Sequence, residues 1–195
     1  MQDRIFGDRE KAAEEAYFRQ EDAKLLGKLR ENANLEDVAQ ALGEKLQVQN
    51  PALLQHVRDL GITVDNAPAF FLAPLVQVAW ADGAVSRDEH DTVLRIARER
   101  NVQHGSPGYE LLSEWLRARP SDDLFDTAVE VIKSGFAVLP PDERDERLNR
   151  IVDACNEVAM VTGGGLAQLL RLGNSVSSRE TSMLDRITRT LRKRS

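Results

Sequence analysis

Start and stop signals of α-helices recur along almost the whole chain. No segment alternates convincingly between apolar and polar residues with the period of two that a half-buried strand requires. Pro51 stands at the first turn of one predicted helix and Gly61 lies just past its end. Pro140-Pro141 ends another helix and pre-sets the first turn of its successor. Because apolar residues between these signals recur at helical spacing, we predict an all-α fold, a compact multi-helix bundle.

The 195 residues divide into three predicted regions. Residues 1–33 form a charged helix, from about Asp8 to Asn32, that protrudes from the rest. Residues 34–66 form a helical hairpin and connector. Residues 67–195 form a helical domain, in which we expect one hydrophobic helix from about Ala69 to Ala81.

Composition and charge exclude several classes of protein. The formal net charge of −6 argues against a general nucleic-acid binder, which needs a basic face to neutralise phosphates. The longest apolar run, Ala67 to Ala81, is interrupted by Pro68 and Pro74 and is shorter than the roughly 20 residues that span a bilayer. We therefore expect no integral membrane segment. Residues 1–20 are too charged for a signal peptide, and the single Cys155 fits a reducing compartment, so we expect a cytoplasmic protein.

One helix start is marked with particular clarity. Asp82-Gly83 predicts a turn, and Ser86 with Glu89 three residues later forms a capping-box pattern, in which each side chain bonds the backbone N–H of the other residue. The stretch from Val85, "VSRDEHDTVLRIARE", aligns with "VSSRETSMLDRITRT" from Val176. The alignment indicates a two-fold repeat. The alternative is that any two helices with capping boxes look alike.

The stretch "VAWADGAVSRDE" resembles the signature of the tellurite-resistance TerB-like family, and the resemblance extends over about Pro68 to Arg192. It implies a compact all-helical domain, a link to stress response and tellurite tolerance, and a divalent metal held by acidic residues. Carried over to this sequence, those residues are Asp82, Glu89 and, from the second copy, Glu180. The second copy has Gly173-Asn174 where the family has Asp-Gly, so its aspartate is missing.

The spacing of this motif does not make a calcium loop of the EF-hand type. Counted from Asp82, the sixth position is Arg87 and the twelfth is Val93, where that loop needs glycine and glutamate. The alternative to a metal site is that Asp82 and Gly83 only make a turn while Ser86 and Glu89 only cap a helix.

The N-terminal stretch "FGDREKAAEEAYFR", residues 6–19, is crowded with charge but carries two adjacent aromatic rings, Tyr17 and Phe18. Glu15 and Arg19 stand four residues apart in the order that supports a helix. Aromatic anchors flanked by charges are typical of a helix that inserts into a groove of a partner protein. The alternative is a surface helix whose two rings pack on its own domain.

This stretch resembles the inhibitory segment of the mitochondrial ATPase inhibitor family and its bacterial relatives, F-G-x-R-E-x-A-x-E-E-x-Y-F-R. The resemblance implies a partner, the catalytic sector of an F-type ATP synthase, entered between its nucleotide-binding and partner subunits. The contact residues carried over are Glu10, Glu14, Tyr17, Phe18 and Arg19. In the mitochondrial inhibitors this segment continues into a long coiled coil with several histidines. This chain departs from that pattern, because no histidine precedes His56.

The sequence offers no catalytic constellation. Gly163-Gly164-Gly165 lacks the Lys-Ser/Thr of a phosphate-binding loop, and the three histidines lack zinc-ligand spacing. Cys155 lies on an apolar helix stripe, as a buried inert thiol does. We therefore expect a non-enzymatic protein without a cofactor. The resemblance of residues 6–19 implies that it is a regulatory protein that inhibits an ATP synthase. One alternative is a TerB-like stress-response module that binds a divalent metal or a protein partner. The other is an enzyme whose catalytic residues match no pattern named above.

Overall fold

The computed structural model describes residues 20–22, 24, 25, 27, 37–162 and 178–192. Within these residues every regular element is a helix and there is no strand, which confirms the all-α prediction. Residues 37–46 form helix α1. The helices that follow are α2 Pro51–Asp59, α3 Ala67–Phe70, α4 Ala73–Ala79, α5 Arg87–Glu99, α6 Pro107–Arg117, α7 Asp122–Ala137, α8 Pro141–Thr162 and α9 Ser178–Arg192.

The chain divides into two compact units, Met1–Ala41 and Leu42–Ser195. In the first unit the described residues are helical, and Glu21 accepts a hydrogen bond from Lys24 at 2.9 Å. Most of the predicted charged helix, including residues 1–19, lies outside the described residues. The predicted boundaries at residues 33 and 66 stay predictions.

Side-chain caps set the helix starts of the second unit. Asn50 Oδ1 accepts hydrogen bonds from the backbone N–H groups of Ala52 and Leu53, ahead of Pro51 at the first turn of α2. Ser106 and Ser121 cap α6 and α7 in the same way, each at 3.2 Å. These caps satisfy donors that have no partner inside the helix. The start of α2 lies where Pro51 predicted it.

Helix α4 is the centre of the second unit. All seven of its residues are buried, and it contacts α5, α6, α7, α8 and α9. The predicted hydrophobic helix over Ala69–Ala81 is in fact two helices, α3 and α4. Pro74 explains the break, because it has no N–H for the helical bond to Phe70 and its ring crowds that carbonyl.

The apolar stripes of the surrounding helices face this centre. On α5, Val93, Leu94, Ile96 and Ala97 are buried. On α9, Ile187 and Leu191 are buried, while Met183 and Leu184 are partly buried against the core. The second unit is therefore a helical bundle built around α4. Every residue of α4 is apolar except Gln77, which lies in the middle of the helix.

Candidate functional site

The predicted partner-binding residues Glu10, Glu14, Tyr17, Phe18 and Arg19 lie outside the described residues. Nothing in the structure therefore bears on how they are arranged. The sequence match over residues 6–19 remains the basis for their predicted role.

The turn between α4 and α5 contains the predicted metal residues Asp82 and Glu89. Asp82 is exposed, and its Oδ1 accepts a hydrogen bond from the backbone N–H of Ala84 at 3.3 Å. Gly83 follows with φ of +101°, a conformation that side chains disfavour. Both residues of the Asp-Gly pair therefore contribute to the turn itself.

Glu89 and Ser86 form the predicted capping box. The backbone N–H of Ser86 donates to Glu89 Oε2 at 2.7 Å, and the backbone N–H of Glu89 donates to Ser86 Oγ at 3.2 Å. Glu89 is 0 % exposed, so its carboxyl group is held inside the protein beneath the turn. Burial of a carboxyl group is tolerated where hydrogen bonds replace its water.

The structure does not show the three predicted metal ligands as one cluster. Asp82 is exposed while Glu89 is buried, and α9 contains Glu180, whose side chain lies outside what is described. Among the described residues no three His, Cys, Asp or Glu side chains group in a way that could hold a metal ion. The metal site stays a prediction.

The second copy of the predicted repeat includes most of α9. Helix α9 begins at Ser178, which the alignment pairs with Arg87 at the start of α5. The serine that would cap α9, Ser177, is outside the described residues. The capping box of the first copy is thus confirmed and that of the second is untested.

Cys155 is fully buried on α8, as its place on the apolar stripe predicted. Burial raises the pKa of its thiol to about 12, and the nearby Arg100 only partly offsets that effect. At neutral pH the sulfur is therefore a protonated thiol, which is a poor nucleophile.

A groove that the sequence did not predict lies between α7 and α9, over α4. It encloses about 550 Å³, which is within the range of ligand-binding clefts. Its α7 wall uses residues at helical spacing, from Asp126 through Glu130 and Lys133 to Ala137, and its α9 wall includes Arg186. We call this feature the α7–α9 groove.

Gln77 lines the α7–α9 groove from α4. It is only 7 % exposed, and its side chain makes no hydrogen bond to any residue within 37–162 or 178–192. Val129 and Ile187, both buried, line the groove with it. A buried carboxamide beside apolar side chains, without a protein partner, is unusual because buried polar groups are normally hydrogen-bonded.

Of the charged residues along the groove, two form an ion pair with each other and two form none with a described residue. Arg186 on α9 and Asp126 on α7 approach to 3.8 Å and link the two walls. Lys133 is half-buried, and within the part of the chain that the structure describes it forms no ion pair. Glu130, one turn earlier on α7, is exposed to water. Lys133 is thus a cation in the wall of the groove that forms no ion pair with a described residue.

The sequence did contain a signal for the burial of Gln77, although not for the groove. "APLVQVA", residues 73–79, is apolar except for its glutamine, and a lone carboxamide in such a run predicts a buried polar group. The surrounding charges gave no such signal, because charged residues at helical spacing usually mark a solvated face.

Comparison with known proteins finds no matching family model, no matching curated protein and no matching solved structure. The two family resemblances therefore rest on the residues that carry them in this sequence.

The membrane prediction can be followed in part. Among the described residues, no helix combines the length and the apolar character that crossing a bilayer requires.

Proposed function

We propose that the chain is a non-enzymatic regulator whose N-terminal segment docks on the catalytic sector of an F-type ATP synthase and inhibits ATP hydrolysis. The observation that carries the proposal is the match of residues 6–19 to the inhibitory segment, including both aromatic residues and Arg19. An F-type catalytic sector facing the cytoplasm would place both proteins in one compartment.

The residues have distinct roles in this proposal. Tyr17 and Phe18 bury their rings at the interface between the nucleotide-binding and partner subunits, where large aromatic side chains contribute most to binding. Glu10, Glu14 and Arg19 pair with charges at the rim and set the orientation of the helix. Wedged in this position, the helix blocks the rotation that accompanies hydrolysis.

The division of the chain supports a modular arrangement. The segment belongs to the unit Met1–Ala41, whereas the helical core belongs to Leu42–Ser195. We propose that the first unit is the inhibitory element and the second an anchor, adaptor or sensor.

The test is ATP hydrolysis by the purified F-type catalytic sector of the host, titrated with the whole protein. We expect saturable inhibition, and we expect the double variant Tyr17→Ala, Phe18→Ala to weaken it at least a hundredfold. Met160→Ala is the matched control, because Met160 is a large exposed apolar residue on α8, outside the segment. Hydrolysis unaffected by the whole protein at any concentration, or equal inhibition by the double variant, would sink the proposal.

A second candidate function is that of a TerB-like stress-response module. The observation that favours it is the exposed Asp82 carboxylate, which stands at the motif turn with a lone pair to spare beyond its bond to Ala84. Calorimetric titration with Ca²⁺ or Mg²⁺ tests the metal version. Binding that is lost in Asp82→Ala and in Glu89→Ala would support this candidate, and the absence of heat in the whole protein would remove it.

A further inference from the structure

We propose that the α7–α9 groove binds an extended, acidic peptide segment of a partner protein. None of the residues that line the groove belongs to the N-terminal segment, so the proposal stands whether or not the chain inhibits an ATP synthase.

The side chain of Gln77 selects the kind of backbone that can enter. A carboxamide offers one acceptor oxygen and two N–H donors, so it can pair with the C=O and N–H of a single peptide group. An extended segment presents such free main-chain groups. A helix does not, because its main-chain groups are already bonded within the helix. The unpartnered carboxamide therefore favours an extended occupant over a helical one.

Lys133 selects the charge of the occupant. Lys133 is half-buried and forms no ion pair with a described residue, so its ammonium group can form a charge-assisted hydrogen bond with a carboxylate of the occupant. The opposite charge on the same wall, Glu130, is exposed and keeps its water, so it places little demand on a ligand. Arg186 and Asp126 already face each other. Lys133 is therefore the cation of the groove that an acidic side chain of the occupant can pair with.

The dimensions and lining of the groove suit a short segment. From Asp126 to Ala137 the α7 wall rises by about 16 Å, at 1.5 Å per helical residue. An extended chain covers that distance with about five residues. Val129 and Ile187 provide apolar contact for side chains that flank the acidic one.

The experiment uses the full-length chain as bait and a phage-displayed library of random ten-residue segments as the probe. A random library is needed because the groove defines a chemistry and not a sequence. We expect the selected segments to share an Asp or Glu flanked by apolar residues. We do not expect apolar residues to recur every three or four positions, which is the pattern of an amphipathic helix.

Binding of the selected segments, made as synthetic peptides, is then measured on variants. We expect affinity to fall at least tenfold for Gln77→Met, which keeps the volume but removes the carboxamide, and for Lys133→Ala. Lys45→Ala is the matched control, since Lys45 is exposed on α1. In ¹⁵N spectra, the side-chain NH₂ resonances of Gln77 should shift as each peptide is added.

Several outcomes would overturn the proposal. The first is that no segment enriches on the wild-type bait beyond its level on the Gln77→Met, Lys133→Ala double variant. The second is that enriched segments bind that variant equally well, which would place them elsewhere on the chain. Enrichment of amphipathic helices would assign the surface to a helical partner instead.

Discussion

The turn at Asp82–Glu89 and the α7–α9 groove differ in how their polar groups are used. At the turn, the polar side chains form local hydrogen bonds. Asp82 accepts from the backbone N–H of Ala84, and the side chains of Ser86 and Glu89 each accept from the backbone N–H of the other residue. In the groove, Gln77 and Lys133 have no protein partner among the described residues. The polar groups of the family-like motif are thus largely used in local hydrogen bonds, while the groove, which has no motif, contains polar groups without a partner among the described residues.

The largest expected effect is at Glu89. Replacing this fully buried residue with alanine removes the acceptor of the Ser86 N–H and leaves a small cavity, so we expect Glu89→Ala to lower the free energy of unfolding by about 2–3 kcal/mol. Glu89→Gln keeps an acceptor oxygen and should cost less. Chemical denaturation monitored by circular dichroism measures both changes.

The control for that prediction is Glu99→Ala on the same helix. Glu99 is exposed and pairs with Arg95, so its loss should change stability by less than about 0.5 kcal/mol. If Glu89→Ala were as stable as Glu99→Ala, Glu89 would not be a structural residue, and the contrast with the groove would fail.

A smaller effect is expected at Gly83. Its φ of +101° strains any side chain, although a Cβ there would meet no other atom within 4 Å. We therefore expect Gly83→Ala to cost about 1 kcal/mol from backbone strain alone. The same measurement on Gly27→Ala, where neither strain nor contact is present, should give no loss or a slight gain. Equal stability of the two variants would mean that the turn can relax.

The smallest expected effect on stability is at Gln77, and it is the most informative. Replacing an unpartnered buried carboxamide with a methionine of similar volume should leave the free energy of unfolding unchanged or raise it by up to about 1 kcal/mol. A loss above about 1 kcal/mol would show that Gln77 supports the fold. The groove would then resemble the turn.

The helical elements of this chain could largely be read from its sequence. Asn50, Ser86, Ser106 and Ser121 signal helix starts because their side-chain oxygens bond nearby N–H groups, and those bonds depend only on local sequence. The break before Pro74 was predictable from the same chemistry but was missed, because the apolar run on both sides suggested one helix.

The candidate sites were less accessible to sequence analysis. The α7–α9 groove depends on three helices far apart in sequence, and no local pattern states that Gln77, Lys133 and Arg186 line one surface. The bonds within Ser86–Glu89 were predictable, yet the complete burial of Glu89 was not, since burial is set by tertiary packing.

The single cysteine gives this protein a natural probe of its own opening. Cys155 is enclosed in the core, and only its thiolate would react with an added disulfide reagent. Reaction therefore has to wait until the packing around α8 opens, and under rapid reclosing its rate is proportional to the opening equilibrium. The labelling rate with and without a bound peptide or an ATP synthase would accordingly report, at one native atom and without any engineered tag, whether binding lowers the opening equilibrium around α8.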